Sequence, residues 1–194
     1  TTSNAAVQLT LPVDDGTANQ YLKTDGSGAL SWATLPTDDA GLYGSYAVVG
    51  ERLDASTAAG TFTSGAYRIR VIDEEFYDPD GIVSLSTNQF TLQAGTYLIW
   101  WSYPGYVCDK HHTKLYNVTD AANVAAGEAC KVGASSSTQT RSSGMARVTI
   151  GGAKAFEIRH ICASTKADNG LGENAHGSDI SDNIISWVQI WKEN

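Results

Sequence analysis

The 194-residue sequence lacks the features that mark several large classes of protein. It contains neither a signal peptide nor an apolar run long enough to span a membrane. Its 13 lysines and arginines are outnumbered by 21 acidic residues, which gives a net charge of −8, and no stretch of sequence forms a basic stripe. Because phosphate contacts need clustered cations, this balance argues against binding to nucleic acid or to an anionic membrane. Solubility is the simplest interpretation of the acidic charge.

Cysteine is also scarce. The three cysteines are Cys108, Cys130 and Cys162. They form no Cys-x-x-Cys pair, and an odd number cannot close a disulfide framework, although one bridge remains open. With a turn near Asp120–Asn123, Cys130 faces about Thr113 across a hairpin and Cys108 is several residues out of register. We therefore expect three free thiols.

Long runs of Leu, Glu, Lys and Ala at helical spacing are absent, whereas Val, Ile, Thr, Tyr and Trp occur in short runs. The 19 glycines against 4 prolines indicate many tight turns. We predict strands near 45–51, 66–72, 82–92, 95–103, 106–118, 123–131, 137–143, 145–150, 154–163 and 184–192. About ten short strands with little helix predict an all-β fold, either a sandwich or a jelly roll.

Residues 1–36 are predicted to form a separate small β arm. Val7–Leu11 alternates like an exposed strand, Asp25–Gly28 is a strong turn signal, and short strands flank that turn at 21–23 and 29–32. A lone hairpin is marginally stable in water, so this unit needs partners. Residues 37–44 are predicted to link it to a head domain at 45–194.

Two predicted strands are apolar on both faces. In the first, 97–101, Leu98 and Trp100 alternate with the other apolar residues; in the second, Ile184, Val188 and Ile190 share one face. Because both faces must be covered, we predict a subunit interface, with cover by a loop or by the arm as the alternative. The predicted interface or core residues are Tyr97, Ile99, Trp101, Ile185, Trp187 and Trp191.

Two stretches carry a family resemblance. Asp14–Trp32 resembles the short β modules that precede the globular tip of bacteriophage tail fibres, and Gly81–Ile99 resembles a stretch common in virion tip domains. These tip domains look like the trimeric jelly rolls of the tumour necrosis factor and complement globular-head class. Further matching stretches are His112–Asp120, Gln139–Ser142, Phe156–Cys162, Asn169–Gly172 and Val188–Lys192.

The resemblance implies a homotrimeric virion structural protein. The expected function is that of a distal tail-fibre tip, an adhesin that binds a glycan or protein receptor on the host surface. The alternative is a trimeric capsid decoration or cement protein, since fold alone does not decide function. Other virion proteins are expected partners, and the expected location is the virion. Because the sequence starts at Thr1 and has Met145 as its only methionine, we expect a fragment of a longer protein.

Candidate sites for chemistry are few. His160 and Cys162 share a strand face with Phe156 and Ile158, and with His111 or His112 they could hold a metal ion. We interpret them instead as buried core residues, and we predict no metal and no cofactor. The sequence has no Gly-x-Ser-x-Gly motif and no convincing carboxylate pair, so we predict no catalytic residue and no enzyme activity.

The longest predicted loop, 164–183, is polar and rich in glycine. It is expected to contribute little to the core, and long loops on rigid β scaffolds often carry binding sites. The candidate receptor-binding residues within it are Asn169, Gly170, Glu173, Asn174 and His176.

Overall fold

The computed structural model describes residues 8–34, 42–133, 135, 137–173 and 182–194. Contacts divide the chain into two compact units, Thr1–Gly41 and Leu42–Asn194. Every regular element in the described residues is a β-strand. That part of the chain has no helix of the length and hydropathy needed to cross a membrane. The all-β fold class expected from the sequence is confirmed.

The first unit is an antiparallel hairpin of β1 (Gln20–Thr24) and β2 (Leu30–Thr34). Its turn is organised by Asp25, whose Oδ1 accepts hydrogen bonds from the backbone N–H groups of Ser27 and Ala29 at 2.7 and 3.1 Å. This side chain takes the place of missing backbone partners, which is why Asp is favoured in tight turns.

The predicted strand at 7–11 is not present as a strand in the described residues 8–11. Thr10 makes only an isolated bridge to Ala29, and Leu9 and Leu11 are exposed. The hairpin is therefore flanked by a single extended segment, and the unit buries little apolar surface of its own. Residue 7 and the predicted linker positions 37–41 lie outside the described residues.

The second unit contains the remaining strands of the described residues. These are β3 (Tyr43–Asp54), β4 (Arg68–Ile69), β5 (Glu74–Tyr77), β6 (Val83–Ser86), β7 (Gln89–Leu92), β8 (Gly95–Tyr106), β9 (Asp109–Asn117), β10 (Ala122–Ala126), β11 (Cys130–Val132), β12 (Gln139–Ile150), β13 (Lys154–Cys162) and β14 (Asp182–Glu193). Strand β3 begins at Tyr43, inside the predicted linker.

The strands form a sandwich of two antiparallel sheets. Sheet I has the order β12–β8–β14–β3–β5. Sheet II has the order β10–β9–β13–β7–β6, with β4 beside β13 and β11 beside β9. The chain alternates between the sheets, from β7 to β8, then to β9, and again from β12 to β13 to β14. This alternation between two sheets is a jelly-roll arrangement, one of the two folds left open by the strand pattern and the one implied by the family resemblance.

The core lies between the inner faces of the two sheets. Sheet I contributes alternate residues of β8 and β14 to this core, because successive side chains of a strand point to opposite faces. Phe90 and Phe156 on neighbouring strands of sheet II stack with ring centroids 5.7 Å apart. The largest fully buried apolar side chains of this layer are Tyr97, Ile99, Trp101, Tyr103, Phe90, Leu92, Leu115, Phe156 and Ile158.

Several predicted strand boundaries are wrong. The predicted strand at 82–92 is the hairpin β6–β7, because Thr87 and Asn88 take left-handed φ values of 50° and 62°. The predicted strands at 137–143 and 145–150 are one strand, β12, that continues through Gly144. A Cβ at Gly144 would lie 2.1 Å from Cζ2 of Trp101, so glycine here makes room for a core indole rather than a turn.

Two further differences concern strands at the edges of the sheets. Strand β5 has no counterpart in the prediction, and the predicted strand at 66–72 reduces to the two residues of β4. The predicted strand at 123–131 is divided into β10 and β11, with a bulge between Asn123 and Ala125. As a result Cys130 pairs with His111 instead of Thr113.

Candidate functional site

The outer face of sheet I carries a cluster of apolar and aromatic side chains, with Gln189 and Arg147 among them. Tyr46, Leu98 and Trp191 are register partners across β3, β8 and β14, and Trp100 pairs with Met145 on β12. Because these residues alternate with the core residues of the same strands, they point away from the core. We call the following set the apolar face: Tyr46, Leu98, Trp100, Met145, Trp187 and Trp191.

The rings of the apolar face are packed against one another. Trp100 meets Trp187 edge to face with centroids 5.1 Å apart, and Tyr46 lies 5.2 Å from Trp191. Yet Trp100 is 41% exposed and Met145 is 62% exposed. A partly exposed aromatic surface of this kind is a candidate site for binding another molecule or another copy of the chain.

The predicted interface residues divide between two locations. Tyr97, Ile99 and Trp101 lie in the core between the sheets, where each is at most 1% exposed. Trp187 and Trp191 lie on the apolar face. Leu98 and Trp100, which the prediction did not include, lie on the apolar face, because they alternate with the buried Tyr97, Ile99 and Trp101 along β8.

A bulge changes the face assignment at the start of β14. The register against β3 shifts between Ile184 and Ser186, so Ile184 no longer shares a face with Val188 and Ile190. Ile184 is exposed, whereas Ile185 is buried. The sequence-based grouping of Ile184 with Val188 and Ile190 is wrong because simple alternation does not include the extra residue of a bulge.

Residues 164–173 of the predicted binding loop are packed on the body of the unit, and residues 182–183 belong to strand β14. Lys166 and Phe62 exchange backbone hydrogen bonds of 2.9 and 3.0 Å, and the carbonyl of the buried Gly170 accepts one from Tyr106. Asn169 Nδ2 donates to the Glu173 carboxylate. This half of the loop contributes to the structure more than expected, while Asn174 and His176 lie outside the described residues.

A chain of buried polar groups occupies one end of the core. His111 Nδ1 lies 2.9 Å from His160 Nε2, and His160 Nδ1 lies 3.0 Å from Nη1 of Arg70. Arg70 also donates to the carbonyls of Pro104 at 3.0 Å and Leu171 at 2.6 Å. These contacts occupy both nitrogens of the His160 ring with protein groups, as a structural histidine requires.

Charges in this cluster are strongly perturbed. Burial, followed by the nearby Arg70, lowers the pKa of His111 to about 4 and holds that of His160 well below its usual value. Burial raises the pKa of Glu51 to about 7, although Arg70 at 3.8 Å opposes the shift. The histidines are therefore neutral at pH 7, and Arg70 is the buried cation of the cluster.

The cysteines lie near this cluster but are not linked. Cys108 and Cys162 are buried and Cys130 is half-buried, and all three are free. Within the described residues, no group of three or more His, Cys, Asp or Glu side chains is arranged to hold a metal ion. His160 and Cys162 are both buried in β13, as the sequence analysis expected; His160 contacts His111 and Arg70, and Cys162 Sγ lies 3.8 Å from the carbonyl oxygen of Phe62.

Neither a family model nor a curated protein sequence matches this chain. Solved structures similar to it include the globular domain of zebrafish complement 1qA protein, at 13% identity and a TM-score of 0.45, covering 76% of this chain and 95% of that one. Murine APRIL matches at 6% identity and a TM-score of 0.46, over 76% and 98% of the two chains. Eiger TNF from S. frugiperda matches at 10% identity and a TM-score of 0.46, over 77% and 92%. All three are jelly-roll domains of the tumour necrosis factor and C1q class, and a likeness at this level concerns the fold alone.

Proposed function

We propose that the chain is the homotrimeric head of a bacteriophage attachment fibre, a virion structural protein that binds a host surface receptor. One observation carries the trimer: the apolar face on the outside of sheet I. Tryptophan and methionine are enriched at interface cores, where Trp100, Trp187, Trp191 and Met145 would be placed. In a trimer, the apolar face of each copy would be covered by the two neighbouring copies, which removes the exposed aromatic patch.

The small first unit supports the fibre context. A two-stranded hairpin is marginal by itself, and this one leaves Leu9, Leu11 and Tyr21 exposed. Copies of the unit in a trimer would supply the missing cover, as expected of a module in a fibre. Attachment by such a head is multivalent, because several weak contacts on one particle add through effective concentration.

The oligomeric state tests the trimer directly. Light scattering at micromolar concentration should give three times the chain mass of 20.6 kDa. Replacing Trp100 and Met145 by Asp should give folded monomers, since two charges would then lie in the buried apolar contact. The matched control is Ile69→Asp, an exposed apolar residue of sheet II, which should remain trimeric. A monomeric wild-type chain contradicts the proposal.

The location in the virion is tested separately. Gold-labelled antibody raised against residues 42–194 should mark the ends of tail fibres in micrographs of purified virions. Labelling spread over the capsid would instead support the decoration or cement alternative. Labelling of neither structure would contradict both.

A further inference from the structure

The outer face of sheet II gathers positive charge, in a chain whose net charge is −8. Lys114 pairs with Arg159 across β9 and β13, and Lys110 pairs with Lys131 across β9 and β11. Each pair shares one side of the sheet, opposite the buried His111 and His160. We call Lys110, Lys114, Lys131 and Arg159 the cationic face.

Within the part of the chain that the structure describes, one of these four cations, Arg159, has an acidic partner. Glu157, itself buried, accepts a hydrogen bond from Arg159 Nε at 2.6 Å. Among the residues that the structure describes, no carboxylate lies within ion-pair distance of Lys110, Lys114 or Lys131. Four cations against one carboxylate leave the face with a local charge of 4 − 1 = +3.

Aromatic rings hold two of the cations in place. Lys114 Nζ lies 3.9 Å from the centroid of the Tyr67 ring, and Arg159 Cζ lies 3.3 Å from that of Tyr116. The hydroxyl of Tyr67 is fixed in turn by His112 Nε2 at 2.7 Å. Cation–π contacts of this kind order long side chains before a ligand arrives, which lowers the entropic cost of binding.

The cations also repel one another. Burial first, and then the neighbouring charge of Arg159, lowers the pKa of Lys114. An anion bound between the two strands would relieve this repulsion and form charge-assisted hydrogen bonds with both side chains. The face therefore carries more positive charge than the single Glu157 carboxylate balances, and this excess favours a bound anion.

Two open pockets flank the cationic face. One, of about 340 Å³, is lined by Tyr67, Lys114 and Asn123 together with the small apolar residues of β10. The other, of about 530 Å³, is lined by Lys110, Lys131 and His112 among others. Volumes of this size accommodate small organic groups. Lys110 and Lys114 lie four residues apart on one strand, about 13 Å, so a ligand reaching both must be extended.

We propose that the cationic face binds an acidic polysaccharide, a sugar chain whose rings carry carboxylate groups. The inference rests on the proposed attachment function and names the class of receptor. An extended, hydroxyl-rich polyanion matches separated cations, polar groups such as Asn123, and pockets along the strands. Nucleic acid fits less well because Tyr67 and Tyr116 are already covered by cations and present no free ring for base stacking.

A protein partner fits less well too. The described residues of this face present Ile69 and Ile161 as their large aliphatic side chains, whereas protein interfaces are anchored by a buried apolar centre.

The two sheets of the sandwich keep the cationic face and the apolar face apart. The cationic face lies on the outside of sheet II and the apolar face on the outside of sheet I, so association through sheet I leaves three copies of the cationic face accessible.

The experiment is titration calorimetry of the full chain with polygalacturonate, and with neutral dextran of the same length. Polygalacturonate should bind, and more weakly as ionic strength rises from about 0.05 to 0.5 M, because exposed charges are screened. Dextran should not bind. Lys110→Gln with Lys131→Gln should weaken binding about tenfold, since two exposed charge contacts of modest strength are removed.

The matched control is Arg52→Gln with Lys192→Gln, which changes the net charge by the same two units on strands β3 and β14 of sheet I. It should bind as the wild type does. Lys114→Met, which keeps an unbranched chain against Tyr67, should also weaken binding. Equal affinity of the Lys110/Lys131 variant and the control would overturn the inference, as would binding of double-stranded DNA as tight as that of polygalacturonate.

Light scattering on the same samples separates this inference from the proposed function. A trimer that binds no polygalacturonate overturns the polysaccharide inference and leaves the trimeric head standing. A monomer that binds it through Lys110 and Lys131 supports the inference while contradicting the trimer.

Discussion

The buried Arg70 is expected to control the stability of the second unit. Its side chain is 1% exposed and contacts the carbonyls of Pro104 and Leu171, the ring of His160 and, at 3.8 Å, Glu51. Arg70→Met fills a similar volume but removes every one of these donors. It leaves Glu51 as a buried carboxylate without a cation, and two buried carbonyls without donors.

Breaking a buried ion pair by removing one partner costs about 3–5 kcal/mol of the free energy of unfolding. We expect a loss of that size at pH 8 for Arg70→Met. Urea unfolding followed by tryptophan fluorescence measures it, at one protein concentration because association would shift the midpoint. The control is Arg68→Met, two residues away and exposed, for which we expect a loss below about 1 kcal/mol.

The loss should depend on pH in a stated direction. Burial already raises the pKa of Glu51 to about 7, so its carboxyl group stabilises the fold below pH 4.5, and that contribution disappears as pH rises to about 7. Arg70 lowers the pKa of Glu51, so this pKa rises further in Arg70→Met. The variant therefore goes on losing stability as pH rises above 7. Removing Arg70 also relieves the depression of the His160 pKa, which favours the variant at low pH.

Both effects make the deficit of Arg70→Met larger at pH 9 than at pH 6. A deficit below 1 kcal/mol at pH 8 would refute the assignment of Arg70 as the cation that stabilises this end of the core. A deficit that grows as pH falls would refute the electrostatic reasoning even if the total were as expected.

Two further predictions concern close packing and the thiols. Gly144→Ala should destabilise the fold by about 1–3 kcal/mol, because its Cβ would overlap the buried indole of Trp101. Gly151→Ala, where a Cβ meets nothing within 4 Å, should be nearly neutral in the same urea assay, and equal effects would contradict the packing argument. Titration of thiols in denatured, unreduced protein should find three free thiols per chain, and finding one would reveal a disulfide. In native protein at pH 8 Cys130 should react first, because burial raises the pKa of Cys108 to about 12 and of Cys162 to about 11.

Elements defined by local pattern could be predicted from the sequence. Strands β8, β9, β13 and β14 were recognisable as runs of β-forming residues, and the Asp25 turn as a loop with its own side-chain acceptor. The hairpin at Thr87–Asn88 was not recognised, because left-handed φ at two residues other than glycine has weak sequence signals. Gly144 was mistaken for a break because its role depends on an indole 43 residues earlier in the sequence.

The burial of Arg70 could not be predicted from the sequence. In its short strand region, alternation and hydropathy favour burial of Ile69 and exposure of Arg70. The structure has Ile69 49% exposed and Arg70 1% exposed. The reversal is possible only because distant groups, among them Glu51, Pro104, His160 and Leu171, supply partners for the guanidinium. Burial of a charge is decided by such partners, and local sequence does not contain them.

The sequence by itself determined the all-β class and the two-sided apolar strands, because these depend on residue periodicity and turn chemistry within short windows. Only the tertiary structure decided which side of β8 faces the core and which side forms the apolar face. Only the tertiary structure brought Lys110, Lys114, Lys131 and Arg159 onto one surface, although they are scattered over 50 positions of an acidic chain. Charge clustering across a sheet is set by strand order and register, which are long-range properties of the fold.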